Sequence, residues 1–123
     1  MNITQEFGGG RYVIRGYDQN RVVVNDRSFM RSVIVAPEHL NPDWEPQSLA
    51  ELKASHFEPV VALQPEVVLL GTGLRLQFPA QAIIAFLQQR AIAIEVMNTA
   101  AACRTFNLLV SQGRAVVGAL LVH

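Results

Sequence analysis

The chain has little cysteine and no long apolar run. Its one cysteine, Cys103, cannot form a disulfide within the chain, which favours a reducing compartment. No stretch reaches the roughly eighteen apolar residues that a membrane-spanning helix needs. The first residues have neither the basic start nor the apolar segment of a secretory signal. We therefore expect a cytoplasmic protein without a membrane span.

An excess of charge of one sign is also missing. Lys and Arg together number ten, as do Asp and Glu, and charged residues make up only 16% of the 123 residues. The basic residues are nearly all arginines, scattered singly between apolar segments. Affinity for nucleic acid comes mostly from Lys and Arg that neutralise phosphates, so we expect no nucleic-acid partner.

Residue sets that carry metal or acid–base chemistry are scarce as well. The three histidines, His39, His56 and His123, are far apart in sequence, none forms a pair with ligand spacing, and there is no second cysteine. The aspartates fall in predicted turns, where their local hydrogen bonds explain them. The sequence predicts no metal site and no cofactor, and we expect the protein not to be an enzyme.

Half of the residues are apolar, and the length suits a single domain spanning residues 1–123. In the first third, residues 12–15 and 21–24 are β-branched runs separated by turn residues, which predicts a hairpin. Residues 28–35 are predicted to add a third strand as a meander. The N-terminal part is therefore expected to be antiparallel.

The middle of the chain is rich in proline. Residues 36–46 contain three prolines, which exclude a regular helix and predict a surface loop. Trp44 in this loop could be a binding handle, but a ring folded over the edge of the core is commoner. Ser48 and Glu51 have the spacing of a capping box, which predicts a short helix to about His56. Helix-breaking residues follow around Pro59.

The last sixty residues alternate between strand and helix patterns. Strands are predicted at 66–70, 92–97 and 115–122, and helices at 80–90 and 99–112, with Gly113 as a C-terminal cap. In the predicted strand 66–70, residues 67–70 form a continuous apolar run, as in a central strand covered on both faces. This alternation predicts an α/β fold.

Gly71-Thr72-Gly73 follows the predicted central strand, where backbone amides can hold an anion. The dinucleotide-binding motif is not met, because Leu76 occupies the position of its third glycine and the helix begins only near Pro79. No Lys-Ser or Lys-Thr pair follows, so a P-loop is not met either. The glycines indicate either a small-anion contact or a requirement for backbone angles and close approach.

The predicted helix 99–112 has polar residues beside its apolar face. Its start and the glycine turn should lie at the same end of the sheet, where ligands of α/β proteins bind. A candidate site for a small molecule or anion therefore consists of Gly71, Thr72, Gly73, Thr99, Arg104 and Asn107. The alternative is that Thr99 or Asn98 caps the helix, Asn107 braces a neighbouring loop, and Arg104 is solvated.

Cys103 lies near the start of the same predicted helix. A thiol there could be a nucleophile, since the helix dipole favours the thiolate. Its position on the apolar face of the helix favours a buried structural role instead.

Two stretches, VVLLGTG and AIAIEVMNTAAACRTFNLLVSQGR, together with the early GGGRYVIRGY, resemble the family known as domain of unknown function 498. One departure is Gln112, where many members carry Glu. The resemblance implies a three-layer α/β domain with a mixed central sheet, helices and an added antiparallel hairpin or meander. It also implies no established catalytic activity, because the best understood members are assembly partners of respiratory complex I.

These observations lead to two hypotheses. The first is a non-enzymatic accessory protein that binds another protein, in a role related to the assembly of respiratory complex I. The alternative is a small-molecule or anion-binding domain, or a cryptic enzyme, which uses the crevice between the Gly71–Gly73 turn and the Thr99 helix start.

Overall fold

Residues 11–123, which the computed structural model describes, form two β-sheets and three α-helices. The strands are β1 (Ile14–Asp18), β2 (Arg21–Val24), β3 (Arg27–Phe29), β4 (Val33–Ala36), β5 (His39–Asn41), β6 (Val67–Thr72), β7 (Ala93–Met97) and β8 (Val116–Leu121). The helices are α1 (Glu58–Ala62), α2 (Gln81–Gln88) and α3 (Thr99–Ser111). The prediction on a secretory signal concerns the first residues of the chain, and the GGG triplet occupies residues 8–10. Both lie outside the described residues.

The small sheet is the predicted N-terminal meander, with strand order β1-β2-β3 and antiparallel pairing throughout. Asn25 makes the turn between β2 and β3 with a φ of 54°, a left-handed conformation that asparagine tolerates better than most residues. Its side-chain oxygen accepts from the backbone N–H of Val13, 2.9 Å away. The side chain therefore ties this turn to the start of β1.

The large sheet has the order β5-β4-β8-β6-β7 and is mixed. β6 runs parallel to both β7 and β8, with α2 and α3 as the connecting helices, whereas β4 is antiparallel to β5 and β8. Every residue of β6 is buried, as its continuous apolar run predicts. The carboxyl ends of β6, β7 and β8 therefore meet at one end of the sheet.

The prediction of one strand over residues 28–35 is wrong. The segment contains β3, which ends at Phe29 in the small sheet, and β4, which begins at Val33 in the large sheet. All four residues of β4 are buried because both of its faces are covered, unlike a meander strand. Met30–Ser32 is the crossing between the sheets, and its sequence carries no Gly or Pro to mark it.

The loop predicted over residues 36–46 is partly wrong, because β5 pairs with β4 inside it. β5 is an edge strand of three residues, which leaves the prolines on either side of it outside the ladder. Trp44 is buried, as the commoner interpretation predicts. Its indole N–H donates to the backbone oxygen of His56 at 2.9 Å, and its ring meets Phe57 edge-on.

The single helix predicted after Ser48 is also wrong. Two short 3₁₀ turns, Leu49–Glu51 and Ala54–Phe57, take its place. The Ser48 hydroxyl donates to the Glu51 carboxylate at 3.3 Å instead of accepting from a backbone amide, so no capping box forms. α1 then begins at Glu58, where a helix-breaking segment was predicted. Proline is tolerated in the first turn, since its missing N–H would have no partner there.

Two apolar clusters cover opposite faces of the large sheet, because side chains alternate between faces along each strand. One face packs against α3 and the meander, through residues that include Val33, Val35, Val67, Leu69, Val116, Ile14, Val22 and Phe106. The other packs against α1, α2 and the 3₁₀ turns, through residues that include Ile34, Val68, Leu70, Val117, Trp44, Phe57, Val60 and Ile83. The result is a three-layer α/β arrangement, as predicted.

Candidate functional site

The glycine turn and the start of α3 lie in contact at the carboxyl end of the large sheet. The Thr99 hydroxyl accepts from the amide of Gly73 at 2.8 Å and donates to the backbone oxygen of Leu121 at 2.6 Å. The amide of Thr99 donates to the oxygen of Gly73 at 2.9 Å. Thr99 is fully buried. Its hydroxyl therefore joins β6, α3 and β8 at one point.

The two glycines are needed because the chain segments approach closely there. A Cβ on Gly71 would lie 2.8 Å from the Thr99 hydroxyl oxygen and 3.0 Å from its Cα. Gly73 has a φ of 87°, and a Cβ on it would lie 2.8 Å from the backbone oxygen of His123. The crevice between the turn and Thr99 is filled by the protein itself, and the Gly73 amide is used internally. The glycines satisfy backbone requirements, one of the two interpretations of the sequence.

Asn98 caps α3. Its side-chain oxygen accepts from the amide of Ala101 at 2.9 Å, while Thr99 is already the first residue of the helix. The choice between Asn98 and Thr99 as the cap is therefore settled in favour of Asn98. At the other end Gly113 has a φ of 77° and terminates the helix, as predicted.

The Thr72 hydroxyl orders the loop that follows β6. Its hydroxyl donates to the backbone oxygen of Arg75 at 2.6 Å and accepts from the amide of Gln77 at 3.2 Å. A cavity of about 210 Å³ lies at the base of this loop, lined by Thr72, Leu74, Arg75, Gln77 and His123. This surface was not predicted from the sequence, although the alternation of apolar and polar residues in LRLQF could have indicated it.

Asn107 braces β1 by bonding both backbone groups of Ile14. Its side-chain oxygen accepts from the Ile14 amide at 3.0 Å, and its side-chain nitrogen donates to the Ile14 oxygen at 2.7 Å. This is the bracing role considered for Asn107, although the braced segment is a strand and not a loop. β1 departs from regular pairing with β2 between Ile14 and Gly16. The Asn107 side chain thus bonds to the Ile14 backbone as a neighbouring strand would, at the irregular end of β1.

Arg104 lies beside Asn107 in a groove between α3 and β1, separate from the glycine turn. The groove has a volume of about 320 Å³ and is lined by Ile14, Arg15, Gly16, Tyr17, Ala100, Cys103, Arg104 and Asn107. The structure thus divides the six candidate residues among the Gly71–Gly73–Thr99 contact, the Thr72 loop and this groove. Ligand binding at any of them stays a prediction.

Cys103 and Tyr17 line the groove, with the thiol protonated at neutral pH. Burial raises the pKa of the Cys103 thiol to about 12, although the nearby Arg104 lowers it somewhat. Burial also raises the pKa of Tyr17, whose hydroxyl donates to the backbone oxygen of Val122 at 2.8 Å. A neutral, buried thiol is a poor nucleophile, so the structural role predicted for Cys103 is favoured.

Other parts of residues 11–123 offer less for chemistry. No group of three or more His, Cys, Asp and Glu side chains in this range could hold a metal ion. The range also contains no helix long and apolar enough to cross a bilayer. A cavity of about 410 Å³ lies at the opposite end of the sheet, and its lining includes Pro37, His39, Leu63, Pro65 and Val116. No sequence pattern marks this cavity, because three separate loops line it.

Comparison with known proteins identifies relatives along nearly the whole chain. A family model described as "Protein of unknown function (DUF498/DUF598)" matches residues 14–121. An NMR structure of a Xanthomonas campestris protein is 40% identical, with a TM-score of 0.84 over 99% of this chain and 92% of that chain.

The named relatives include a human protein and a bacterial protein. Human "NADH dehydrogenase (ubiquinone) 1 alpha subcomplex assembly factor 3" is 32% identical over 99% of this chain and 66% of that protein. The "13 kDa major membrane protein" of Francisella tularensis is 29% identical over 93% of this chain and 94% of that protein. The chain thus spans slightly less than two thirds of the human relative.

Proposed function

The chain belongs to the DUF498/DUF598 family, and on that premise we propose that it is a non-enzymatic accessory protein that binds another protein during the assembly of a larger complex. The observation that carries the proposal is the alignment of 99% of this chain with a human protein named as an assembly factor. Family membership confirms the resemblance predicted from the sequence. A shared fold does not by itself fix a function, so the assembly role is an analogy that needs its own test.

The geometry at the strand ends supports a binding role without catalysis. The Thr99 hydroxyl and the Gly73 amide, which a reaction site would need free, bond to each other. The Cys103 thiol is neutral because burial raises its pKa to about 12. The groups that α/β enzymes commonly use at this end of the sheet therefore serve the fold here.

The complex in question is proposed to be the respiratory NADH dehydrogenase, which the name of the human relative specifies for that protein. Deleting the gene should lower the amount of assembled NADH dehydrogenase on native gels, and re-expression of the chain should restore it. A variant with the exposed change Asn20→Ala is a matched control, since its side chain makes none of the contacts described above, and it should rescue fully. Normal levels of the assembled enzyme in the deletion strain, together with no specific partner after crosslinking in cells, would contradict the proposal.

A second candidate is the binding of a small molecule or anion in the groove that holds Arg104 and Asn107, two of the six predicted site residues. The observation that favours it is the groove of about 320 Å³ in which Arg104 lies beside Asn107. Titration with phosphate, nucleotides and carboxylates should shift the amide signals of Ala100 and Arg104, and Arg104→Ala should abolish the shifts. Arg90→Ala is the control, because Arg90 stacks on Phe86 instead. Unchanged signals at Gly73, Thr99 and Arg104 would exclude this function.

A further inference from the structure

One end of the molecule carries large apolar side chains that nothing in the described chain covers. Leu74, Leu76 and Phe78, in the loop after β6, are 61%, 52% and 70% exposed, and Met30 is 65% exposed. His123 connects the two segments, because it lines the cavity beside Leu74 while its ring nitrogen lies 3.1 Å from the backbone oxygen of Met30. We call these four apolar residues the apolar tip. Side chains of this size, grouped on one exposed surface, indicate an interaction site.

The loop that carries the apolar tip is held in a fixed shape. The Thr72 hydroxyl bonds to the backbone oxygen of Arg75 and the amide of Gln77, and Thr72 is itself buried. Two backbone polar groups of the loop are thereby satisfied inside the protein. Such a loop can enter an apolar environment without leaving these groups unpaired.

The two chain segments that carry the apolar tip contain basic but no acidic residues. Arg75 lies in the loop between Leu74 and Leu76, Arg31 follows Met30, and neither residues 67–94 nor residues 27–37 contain Asp or Glu. Asp18 lies at the end of β1, and its carboxylate is 3.4 Å from the guanidinium of Arg21. Six of the ten carboxylates of the chain lie between residues 38 and 66, outside both segments. The two segments are therefore apolar and basic, although the whole chain has no net charge.

We propose that the apolar tip docks the protein on a membrane surface rich in anionic lipid. Leu74, Leu76 and Phe78 enter the interface between headgroups and acyl chains, while Arg75 and Arg31 lie at the level of the lipid phosphates. A protein partner fits less well, because a stable interface needs about twenty residues on each side, and the apolar tip has four. A bilayer can accept a narrow projecting surface of this kind. The attachment is peripheral and reversible.

Sedimentation with lipid vesicles tests the proposal directly. The full chain should bind vesicles of phosphatidylcholine that contain about one third phosphatidylglycerol, and should bind pure phosphatidylcholine vesicles at least about tenfold more weakly. Binding to the anionic vesicles should decrease as salt is added, since salt screens the attraction of the arginines. Equal or absent binding to the two kinds of vesicle would overturn the proposal.

Matched variants test whether the apolar tip is the surface that binds the vesicles. Leu76→Ser combined with Phe78→Ser should reduce the partition coefficient by more than about tenfold, because each apolar group removed from the bilayer weakens binding. Arg75→Glu should also reduce it by about tenfold or more. Leu108→Ser alters a side chain on α3 that is also exposed, at 55%, and Lys53→Glu makes the same change of charge as Arg75→Glu. Neither control should alter binding, and a loss in the controls equal to that in the variants of the loop would overturn the assignment.

Sedimentation velocity without lipid separates this proposal from self-association. If the wild type forms a dimer that Leu76→Ser with Phe78→Ser dissociates, the apolar tip is a contact between copies and the membrane proposal is overturned. A wild type and a variant that are both monomeric, with matching amide spectra, show that a loss of vesicle binding comes from the surface itself. Because the assembly role is measured by the level of NADH dehydrogenase, each proposal can fail without the other.

Discussion

Gly71, like Gly73, is a residue at which the fold leaves no room for a side chain. Replacement by Ala would place a Cβ 3.0 Å from the backbone of Thr99 and 3.1 Å from the side chain of Leu120. Backbone at this distance cannot move without shifting the start of α3. We expect Gly71→Ala to lower the free energy of unfolding by about 1–3 kcal/mol, measured by urea denaturation.

Gly16→Ala is the matched control for Gly71→Ala, since a Cβ on Gly16 would have no atom within 4 Å. It should leave stability unchanged or raise it slightly, because Ala loses less backbone entropy than Gly on folding. Equal destabilisation by the two substitutions would contradict the close contact with Thr99.

The Cys103 thiol should react slowly in the folded protein. Its pKa is raised by burial to about 12, from an ordinary value of 9.0, so the thiolate fraction near pH 8 should be about a thousandfold lower than in an unfolded chain. Alkylation by iodoacetamide, followed by mass spectrometry, should be slower by about that factor and should accelerate in denaturant. Alkylation of the native protein at the rate of a short peptide would contradict a buried structural role.

The same pKa shift predicts the direction of a pH effect. Because the folded protein holds the proton more tightly than the unfolded chain, the contribution of Cys103 to stability is complete below pH 9. It is lost as the pH rises towards about 12. Cys103→Ala should reduce the alkaline loss of stability, although Tyr17, whose pKa is also raised, should retain a part of it.

At the scale of elements, Asn107 connects α3 to β1. Asn107→Ala would remove both hydrogen bonds to Ile14, a residue that is only 3% exposed, and leave two backbone groups without these partners. We expect the free energy of unfolding to fall by about 2–4 kcal/mol, since each of the two unsatisfied buried polar groups costs about 1–3 kcal/mol. In this variant the amides of β1 should also exchange with deuterium faster than in the wild type, and this acceleration should be larger in β1 than in β6.

Asn20→Ala serves as the control for Asn107→Ala. It lies in the turn after β1, where the backbone amide of residue 20, and not its side chain, bonds to Asp18 at 2.9 Å. The turn can therefore form without the side chain. If Asn107→Ala left the exchange of the β1 amides unchanged, the bracing role of Asn107 would be wrong.

The elements differ in how closely their positions follow from the sequence, for a physical reason. β6, α2, β7, α3 and β8 lie within one or two residues of their predicted positions, because each has a clear period and residues that mark its ends. The division of residues 28–35 between two sheets was missed. A strand pattern indicates extended backbone but not the partner strand, and one of the two partners of β4 is β8, more than eighty residues away.

At the scale of the whole molecule, the two apolar clusters share the large sheet and should unfold together. Trp44 reports on one cluster and Cys103 on the other, and each is the only residue of its type in the chain. We expect tryptophan fluorescence and pulse alkylation of Cys103 to give the same urea midpoint, as for a single domain over residues 1–123. Two separate midpoints would contradict that prediction.

Charge is distributed unevenly over the molecule, although it is balanced in total. Carboxylates are concentrated in residues 38–66, whereas Glu95 is the only acidic residue after residue 66. The balanced total led to the expectation of no nucleic-acid partner, which stays a prediction, as does the cytoplasmic location. Arginine is in excess in the two segments that carry the apolar tip. The total charge of the chain does not describe such a local excess.

The sequence by itself determined the α/β class, the family, the burial of β6 and the ends of α3. Each depends on residues close in the chain, whose periodicity, glycines and capping side chains act locally. Only the tertiary structure decided how the candidate site is divided. Thr99 reaches Gly73 and Leu121, and Asn107 reaches Ile14, across distances in sequence that no local pattern encodes. The tertiary structure also decided that Leu74, Leu76 and Phe78 remain exposed, because burial depends on whether another part of the chain packs over them.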